Sequence, residues 1–428
     1  MKTVDWNRLE ASERDAVLAR PRLEADAELE AIVAEIIANV RRNGDRALAE
    51  YSRRFDRMPA AEQWQEVADR KALAPDLEQA LDRSIETVRA FHAAGLPADY
   101  ALETAPGVTC RMRHVALEPV GLYVPAGTAP LPSTAVMLLV PARLAGCREI
   151  VLATPPDAHG RADDAVLYVA ARLGLEKVLV AGGAQAVAAM AWGTETVPAC
   201  RKIFGPGNRF VAEAKRQAAL DVDGAAQDLP AGPSEVLVIA DETANPEWVA
   251  IDLLSQAEHG PDSQVLLVTD SEALAAAVPG EVERLLKMLT RAETTAKALE
   301  HAAIVQVTDL DQAIEVSERY APEHLIVQTR DAETVAGRIR TAGSVFVGHL
   351  TPESLGDYIS GTNHTLPTGG WARTSGGLAV ADFMRRMTLQ SATRPGLEVL
   401  GPPGARIASH EGLDAHRLAI ELRLGSGR

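Results

Sequence analysis

The spacing of apolar residues divides the chain into a helical beginning and a longer part in which two periodicities alternate. Ile32, Ile36 and Val40 recur every four positions, which predicts an amphipathic helix, and the stretch NGD at 43–45 predicts the end of one helix and the start of the next. From about residue 117, short β-branched runs such as EIVLAT and KVLVAGG alternate with amphipathic segments. This alternation predicts βαβ units and parallel sheets.

The stretch QDLPAGPSE at 227–235 separates two blocks of this alternation. Two blocks favour two doubly wound sheets, while a single closed barrel stays open from the pattern alone. Residues 351–377 are rich in Gly, Pro, Thr and Asn without a clear period, which is typical of a functional loop. The remaining segment, from LAVADFMRRMT to EGLDAHRLAIELRL, is predicted to be a helical tail.

One helix of the second block can be placed from its end signals. Asn245 is a good N-cap in front of a proline, and Gly260 suits the position just past the helix end. Apolar residues spaced by four form its predicted inward face: Val249, Leu253 and Ala257. Gln256 and His259 are therefore expected together in the last turn, where positions three apart share a face.

Composition narrows the function classes. The 428 residues include 47% hydrophobic and 24% charged residues, which fits a globular protein of two or more domains. The formal net charge of -16 argues against nucleic acid or an anionic membrane as the main partner. No secretory signal or membrane span is readable, and three scattered cysteines form no disulfide framework, so we expect a cytoplasmic protein.

Four of the ten histidines stand next to carboxylates, amides or glycines: His259, His324, His364 and His416. Gln256 and His259 offer an oxygen and a nitrogen from one helix end, and Asp357 and His416 offer another of each, a set that suits zinc. These residues come from three distant segments and glutamine is an uncommon zinc ligand. Spacing alone therefore leaves open that they only close a helix end and cap a turn.

Glu323 and His324 stand side by side where the strand EHLIVQT begins. Together they offer one base for water and one for a hydroxyl group. Strand alternation sends neighbouring side chains to opposite faces, so both reach one site only if the strand has not yet begun at this point. A polar strand entry without chemistry is the competing interpretation.

Three glycine-rich loops follow predicted strands and open helices: GLYVPAGTAPLPST, VAGGAQA and IFGPGNRF. Such loops bind phosphates, but none completes the GxGxxG dinucleotide fingerprint. The loops alone do not predict a nicotinamide cofactor.

Taken together, the segments EPVGLYVPAGTAPLPST, AGGAQAVAAMAWGTETVP, FGPGN, PAGPSEVLVIAD, LLSQAEHGPDSQV, APEHL, TPESLGDYISGTNHTLPTGG and EGLDAH resemble the histidinol dehydrogenase family from about residue 28 to 425. The resemblance implies zinc-dependent, four-electron oxidation of L-histidinol to L-histidine through a bound aldehyde, with two NAD. It implies two Rossmann-like domains with small tails. The corresponding boundaries are a tail at 1–25, a discontinuous α/β domain at 26–120 and 235–375, an NAD-contacting domain at 121–234, and a tail at 376–428.

The resemblance also implies roles for individual residues. The positions that match zinc ligands are Gln256, His259, Asp357 and His416. His324 matches the base for the substrate hydroxyl, and Glu323 the group that activates water for the aldehyde. The remaining substrate contacts match Ser234, His364 and Glu411, and the NAD contacts match Tyr123, Gln185 and Asn208. The family is a homodimer whose C-terminal tail completes the partner's site, so Glu411 and His416 would act across the interface.

Other functions stay open at this point. A relative that oxidises another small alcohol, such as a sulfonated propanediol, would share zinc, NAD and the Glu-His pair. A zinc hydrolase would use Glu323 on water and give the glycine loops no role, and a catalytically inactive binding protein would use neither. Two departures from the common family pattern, Ala126 and the stretch WARTSGGLAV, lie near the cofactor loop and His364.

Overall fold

The computed structural model describes residues 1–21, 27–56, 63–126, 129–230 and 232–425. The strands, in chain order, are β1 (Lys2–Asp5), β2 (Trp64–Glu66), β3 (Tyr100–Ala105), β4 (Val108–Ala116), β5 (Val120–Tyr123), β6 (Ile150–Thr154), β7 (Lys177–Val180), β8 (Lys202–Phe204), β9 (Ala226–Gln227), β10 (Glu235–Ala240), β11 (Gln264–Thr269), β12 (Ala303–Gln306), β13 (His324–Gln328), β14 (Ser344–Val347) and β15 (Met384–Ala392).

The helices, in chain order, are α1 (Ala11–Val17), α2 (Ala27–Phe55), α3 (Pro75–Ala94), α4 (Pro132–Leu144), α5 (Asp164–Arg172), α6 (Gly183–Trp192), α7 (Arg209–Leu220), α8 (Pro246–Ala257), α9 (Glu272–Leu286), α10 (Ala292–Ala298), α11 (Leu310–Tyr320), α12 (Ala332–Ala336), α13 (Glu353–Tyr358), α14 (Arg394–His410) and α15 (Asp414–Gly425). In the described ranges, no helix combines the length and the apolar character needed to cross a membrane.

Two six-stranded sheets form the frame, as the alternating pattern predicts. The first has the order β1-β12-β11-β10-β13-β14, and all its pairings are parallel. The second has the order β2-β7-β6-β5-β8-β9 and is parallel except for the β2–β7 pair at its edge. A smaller antiparallel sheet has the order β15-β4-β3.

Buried helices cover both faces of each large sheet, so both are doubly wound and the barrel alternative is wrong. Helices α8 and α9 bury one face of the first sheet, and α11 packs on the other with residues of the N-terminal segment. Helices α3, α4 and α5 cover one face of the second sheet, while α2, α6 and α7 cover the other. The strands are accordingly buried and rich in Val, Ile and Leu, as parallel strands between helices must be.

Several segments lie elsewhere than the sequence boundaries place them. The boundaries assign 26–120 to the domain of the first sheet, whereas α2, β2 and α3 pack in the second. Residues 2–5 of the N-terminal tail form a strand paired with β12, and 384–392 of the helical tail form a strand paired with β4. For the strands β1, β2 and β15 the reason is pairing with a distant segment, which overrides local propensity, whereas α2 and α3 bury their apolar faces on the second sheet.

The structure confirms three local features predicted from the sequence: the break at Gly44, the Asn245 cap and the buried face of α8. Gly44 has a φ of 50° and divides the long α2 into two helices, as the NGD stretch predicts. Asn245 caps α8, because its side chain accepts a hydrogen bond from the Glu247 N–H at 2.9 Å. The predicted inward stripe of this helix is fully buried: Val249, Leu253 and Ala257. The C-terminal end of α8 therefore points in a defined direction toward the start of β11.

Candidate active site

The predicted acid/base pair lies buried at the start of β13. The strand begins at His324, so Glu323 belongs to the preceding turn and strand alternation does not separate the two side chains. They are 6% and 3% exposed, respectively. Glu323 Oε2 lies 3.6 Å from His324 Nδ1. The condition under which both residues reach one site is therefore met.

The main chain of Glu235, the first residue of β10, holds both side chains of this pair. Its N–H donates to Glu323 Oε2 at 2.8 Å, and its C=O accepts from His324 Nδ1 at 3.2 Å. The second bond places a proton on Nδ1, so the neutral ring carries its lone pair on Nε2. That Nε2 lies 3.5 Å from Asp357 Oδ1 and has no hydrogen-bond partner among the described residues. The neutral tautomer is the one that can accept a proton at Nε2.

Gln256 and His259 lie beside this pair, but not both within the helix. Gln256 is fully buried in the last turn of α8. Helix α8 ends at Ala257, so His259 lies just beyond the last turn in which the sequence places it, and its Nδ1 is 3.4 Å from Ser234 Oγ. The Gln256 amide satisfies both its ends when Nε2 donates to Glu353 Oε1 at 2.8 Å and Oε1 accepts from the Glu235 N–H at 3.1 Å.

Asp357 and His364 come from the segment that the sequence marks as a functional loop. This segment contains the short helix α13, which carries Asp357. His364 Nδ1 donates to the Asp357 backbone oxygen at 2.9 Å, and its Nε2 lies 3.3 Å from Thr134 Oγ1 on α4. The loop thus places its carboxylate and imidazole between the two large sheets.

Burial and neighbouring charge set the protonation of the imidazoles. The pKa of His364 falls because burial disfavours its charged form. The His259 ring is open to the cleft, yet the surrounding protein desolvates it enough to lower its pKa as well. Burial alone would lower the pKa of His324, but the Glu323 and Asp357 carboxylates raise it well above its usual value. His259 and His364 therefore favour the neutral imidazole, whose free ring nitrogen can bind a metal ion or a substrate. His324 favours the protonated imidazole.

Burial and neighbouring charge also give the carboxyl groups of the site different pKa shifts. Burial raises the pKa of Glu323, against the opposing effect of His324. Burial also raises the pKa of Glu353 to about 8. For Asp357 the neighbouring imidazole of His324, together with His364 and His259, outweighs burial and lowers the pKa. Asp357 is the carboxylate most ready to bind a cation, and Glu323 is a group whose protonation can change during a reaction.

Glu411 and His416 are not brought to this site within one chain. Glu411 follows α14, and His416 lies on α15, which packs mainly against α14. In the described part of the chain no hydrogen bond or ion pair joins either side chain to His259, Asp357 or His324. Within the same ranges no three His, Cys, Asp or Glu side chains form a group that could hold a metal ion. One chain therefore supplies an incomplete set of candidate ligands.

The candidate NAD contacts lie at the carboxyl ends of strands in the second sheet. Tyr123 ends β5, and its Oη accepts from the Gly183 N–H at 3.1 Å. Gln185, in the first turn of α6, donates to Asp56 Oδ2 at 3.1 Å. Asn208 caps α7, because its side chain accepts hydrogen bonds from the Phe210 and Val211 N–H groups. Carboxyl ends of parallel strands are where open α/β sheets bind ligands.

A cleft of about 340 Å³ lies between one candidate NAD contact and two residues of the candidate active site. One wall carries Asn208 and the start of α7, and the other carries Ser234 and His259. Tyr123 and Gln185 lie at the same sheet edge but do not line this cleft. Asn208 of the second sheet therefore shares one space with Ser234 and His259, while Glu323 and His324 do not line it.

Comparison with known proteins decides the family. The model of the family described as histidinol dehydrogenase matches residues 18–424. A histidinol dehydrogenase of Xanthomonas campestris pv. campestris is 50% identical over 429 residues, which cover 99% of each chain. The chain belongs to the histidinol dehydrogenase family. A histidinol dehydrogenase of Xylella fastidiosa is likewise 50% identical over 433 residues and 100% of both chains.

Solved structures agree with this membership. The crystal structure of histidinol dehydrogenase from Elizabethkingia anophelis has a TM-score of 0.95, with 41% identity over 100% of this chain and 98% of that one. Histidinol dehydrogenases are NAD-linked oxidoreductases of histidine biosynthesis that use zinc. The hydrolase and binding-protein alternatives are therefore wrong, and the comparisons do not favour the sister dehydrogenase of another small alcohol.

Sequence reasoning missed several residues around the pair. Arg20, Glu235 and Glu353 belong to the same buried polar cluster, and Asp56 contacts Gln185. The contacts Arg20–Glu235, Asp56–Gln185 and Ser255–Glu353 each join residues more than 90 positions apart, so no local spacing reveals them.

Proposed function

We propose that this chain oxidises L-histidinol to L-histidine through a bound aldehyde, with two NAD, in a zinc-dependent reaction. The observation that carries the proposal is the buried Glu323–His324 pair beside Gln256, Asp357 and His259. Full-length similarity to histidinol dehydrogenases supports it.

His324 and Glu323 have different tasks in this reaction. His324 Nε2 faces Asp357 and takes the substrate's hydroxyl proton as hydride leaves the carbon. Glu323, with its pKa raised by burial, takes a proton from the water that adds to the aldehyde. The second hydride then leaves the hydrated aldehyde. Glu235 keeps both side chains in place through its backbone, so neither base has to reorganise between the steps.

Zinc would be held by Gln256, His259, Asp357 and His416. The first three residues fit: a carboxylate with a lowered pKa, an imidazole disposed to be neutral and an amide oxygen suit a divalent ion. When bound, zinc would supply a positive charge that helps to orient the substrate and offsets the carboxylates that raise the pKa of His324.

The substrate is proposed to contact Ser234, His364 and Glu411 in addition to the zinc ligands and His324. NAD, which accepts each hydride, is proposed to contact Tyr123, Gln185 and Asn208. The cleft between Asn208 and Ser234 supports this arrangement because one candidate NAD contact, Asn208, and two candidate substrate contacts, Ser234 and His259, line the same space. Neutral His364 can bind the substrate without repelling a cationic amine.

We also propose a homodimer in which a second copy supplies Glu411 and His416. Two observations support it: the described residues of one chain form no complete ligand set, and the C-terminal segment from 394 to 425 exposes large apolar side chains. These side chains are Val399, Leu400, Ile407, Leu413, Leu418 and Leu422. The cytoplasmic location expected from the sequence stays a prediction.

Mixing inactive variants tests the shared site. His324→Asn and His416→Asn should each abolish turnover alone. If His416 acts across the interface, a hybrid dimer contains one doubly defective site and one intact site, so an equal mixture should regain up to about a quarter of wild-type activity. Sites built from one chain would give no recovery on mixing, because every site would carry one defect.

The experiment that tests the function is the amount of NADH formed per L-histidinol consumed, with and without chelator. Two NADH per substrate, lost on chelation and restored by zinc, are expected. NAD reduction with another small alcohol but not with histidinol would keep the chemistry and overturn the substrate. Turnover that survives complete removal of metal would overturn the role of zinc.

A further inference from the structure

The residue that holds the catalytic pair is itself held from outside the site. Glu235 is 2% exposed, and its carboxylate meets a guanidinium from the N-terminal segment. Arg20 Nε donates to Glu235 Oε1 at 2.6 Å, and Arg20 Nη2 donates to Oε2 at 2.8 Å. This two-pronged geometry fixes the carboxylate in orientation as well as position.

Arg20 also holds the turn that leads into the catalytic pair. Its Nη2 donates to the backbone oxygens of Tyr320 at 2.8 Å and Ala321 at 3.2 Å. Its guanidinium lies 3.9 Å from the centroid of the Tyr320 ring. Ala321 has a φ of 54°, a left-handed conformation that non-glycine residues adopt only where surrounding contacts enforce it. Glu323 follows two residues later.

A third element joins at the same point. The Gly369 N–H donates to Glu235 Oε1 at 2.6 Å, which ties in the loop that follows His364. The N-terminal segment is itself anchored, because Gln264 Nε2 donates to the Ala19 oxygen at 2.9 Å while the Tyr320 hydroxyl donates to Gln264 Oε1 at 2.9 Å. The guanidinium therefore has a fixed position from which to act.

We propose that Arg20 is a positioning residue for the oxidation: it fixes Glu235 and the 320–321 turn, and through them the Glu323–His324 pair. The inference rests on the proposed function for its kinetic readout. Arg20 lies outside the catalytic groups, so its effect passes through geometry alone. Losing the Arg20 guanidinium removes the bonds to the Glu235 carboxylate and, at the same time, those to the 320–321 turn that precedes the Glu323–His324 pair.

The consequence is a loss in kcat with little change in affinity. Displacement of a reacting group by about 1 Å can cost about a hundredfold in rate. Arg20→Lys keeps the charge, but a single ammonium cannot reproduce the fork to Glu235 together with the bonds to two carbonyls. We expect a fall in kcat of about tenfold for Arg20→Lys and about a hundredfold for Arg20→Met. The KM for NAD should stay within about twofold, because Arg20 is remote from the second sheet.

Arg14→Met is the matched control in the same segment. Arg14 also donates to a backbone oxygen, that of Trp6, and stacks on its ring, but it makes no contact with Glu235. It should leave kcat unchanged within about twofold. Methylguanidinium should restore part of the activity of Arg20→Met and none of any loss in Arg14→Met.

Hydrogen exchange provides a readout that does not depend on turnover. The amides of Glu235 and Gly369 should exchange at least about tenfold faster in Arg20→Lys than in the wild type, and at the wild-type rate in Arg14→Met. The holoenzyme is used throughout. If Arg20→Met does not fold, the kcat and exchange rates of Arg20→Lys test the proposal alone.

Unchanged kcat and unchanged exchange in Arg20→Lys would overturn the proposal. So would a loss carried entirely by KM, or an equal loss of kcat in Arg14→Met. If the wild type itself does not reduce NAD with histidinol, the proposed function fails, while the exchange comparison still decides whether Arg20 holds Glu235.

Discussion

Replacing Asp252 with asparagine should stabilise the fold increasingly as the pH rises. Asp252 lies on α8, is 6% exposed and accepts from Gln328 Nε2 at 2.6 Å. Burial raises its pKa from 3.8 to about 7. Among the described residues Gln328 Oε1 has no hydrogen-bond partner, and a protonated Asp252 or an asparagine can donate to it.

Proton linkage gives the sign and size of the change in the free energy of unfolding with pH. Because the folded pKa is above the unfolded one, stability is greatest when Asp252 is protonated in both states, below about pH 4, and falls until the pH passes about 7. At about 1.36 kcal/mol per pKa unit, the full loss has an upper limit on the order of 4 kcal/mol. Allowing for relaxation around the charge, we expect Asp252→Asn to gain about 2 kcal/mol on the wild type between pH 5 and 8.

Urea unfolding followed by circular dichroism at pH 5 and pH 8 measures this difference. Asp241→Asn is a control of opposite sign, because Asp241 is also buried but its hydrogen bonds from Thr243 and Arg330 outweigh burial and lower its pKa. Its contribution is lost only below about pH 4, so its penalty should be constant between the two pH values. If Asp252→Asn shifted stability equally at both, the carboxyl would be ionised in the fold throughout this range and the reasoning refuted.

Three further predictions concern the site and its supports. Glu323→Gln should stop the reaction after one NADH per histidinol, because only the second oxidation needs activated water; equal loss of both half-reactions with substrate still bound would contradict the assignment. Lys215→Met should cost about 3–5 kcal/mol in urea unfolding, because it leaves the buried Asp228 carboxylate without its cation; a cost below about 1 kcal/mol would argue against a buried ion pair. Gly205→Ala should weaken NAD binding and lower stability, because φ at this position is +112° and a Cβ would lie 2.1 Å from the Tyr123 backbone oxygen. The control Gly280→Ala, where a Cβ meets nothing within 4 Å, should change neither. Isothermal titration with NAD measures the affinity of both variants, and urea unfolding measures their stability.

The regular parts of the fold were readable because their signals are local. The Asn245 cap, the buried stripe of α8 and the break at Gly44 each depend on residues within one or two turns. Two doubly wound sheets followed from strands and helices of ordinary length in alternation. The family resemblance supplied the roles of Glu323 and His324, and the structure supplied what alternation left open, namely that β13 begins only at His324.

The missed features depend on distant partners. β1 is four residues long, too short to show a period, and becomes a strand because β12 lies beside it. β15 has the composition of a helix but pairs along its whole length with β4. Arg20 reads as an ordinary surface cation, since nothing near it in the sequence announces a carboxylate 215 positions later. Propensity and spacing carry no information about such pairs.

The way Glu235 holds the acid/base pair affects how its importance can be detected. Both bonds come from its peptide N–H and C=O, and every amino acid except proline carries these two groups. Alanine at this position would remove the carboxylate that Arg20 and Gly369 hold but leave both peptide groups, so a side-chain truncation would test the contact with Arg20 and not the two main-chain bonds themselves. Replacing the amide at 235 with an ester by chemical ligation deletes the donor to Glu323 and leaves every side chain intact. The sequence does not encode these main-chain bonds directly. It encodes only the side chains that keep the backbone of Glu235 in place.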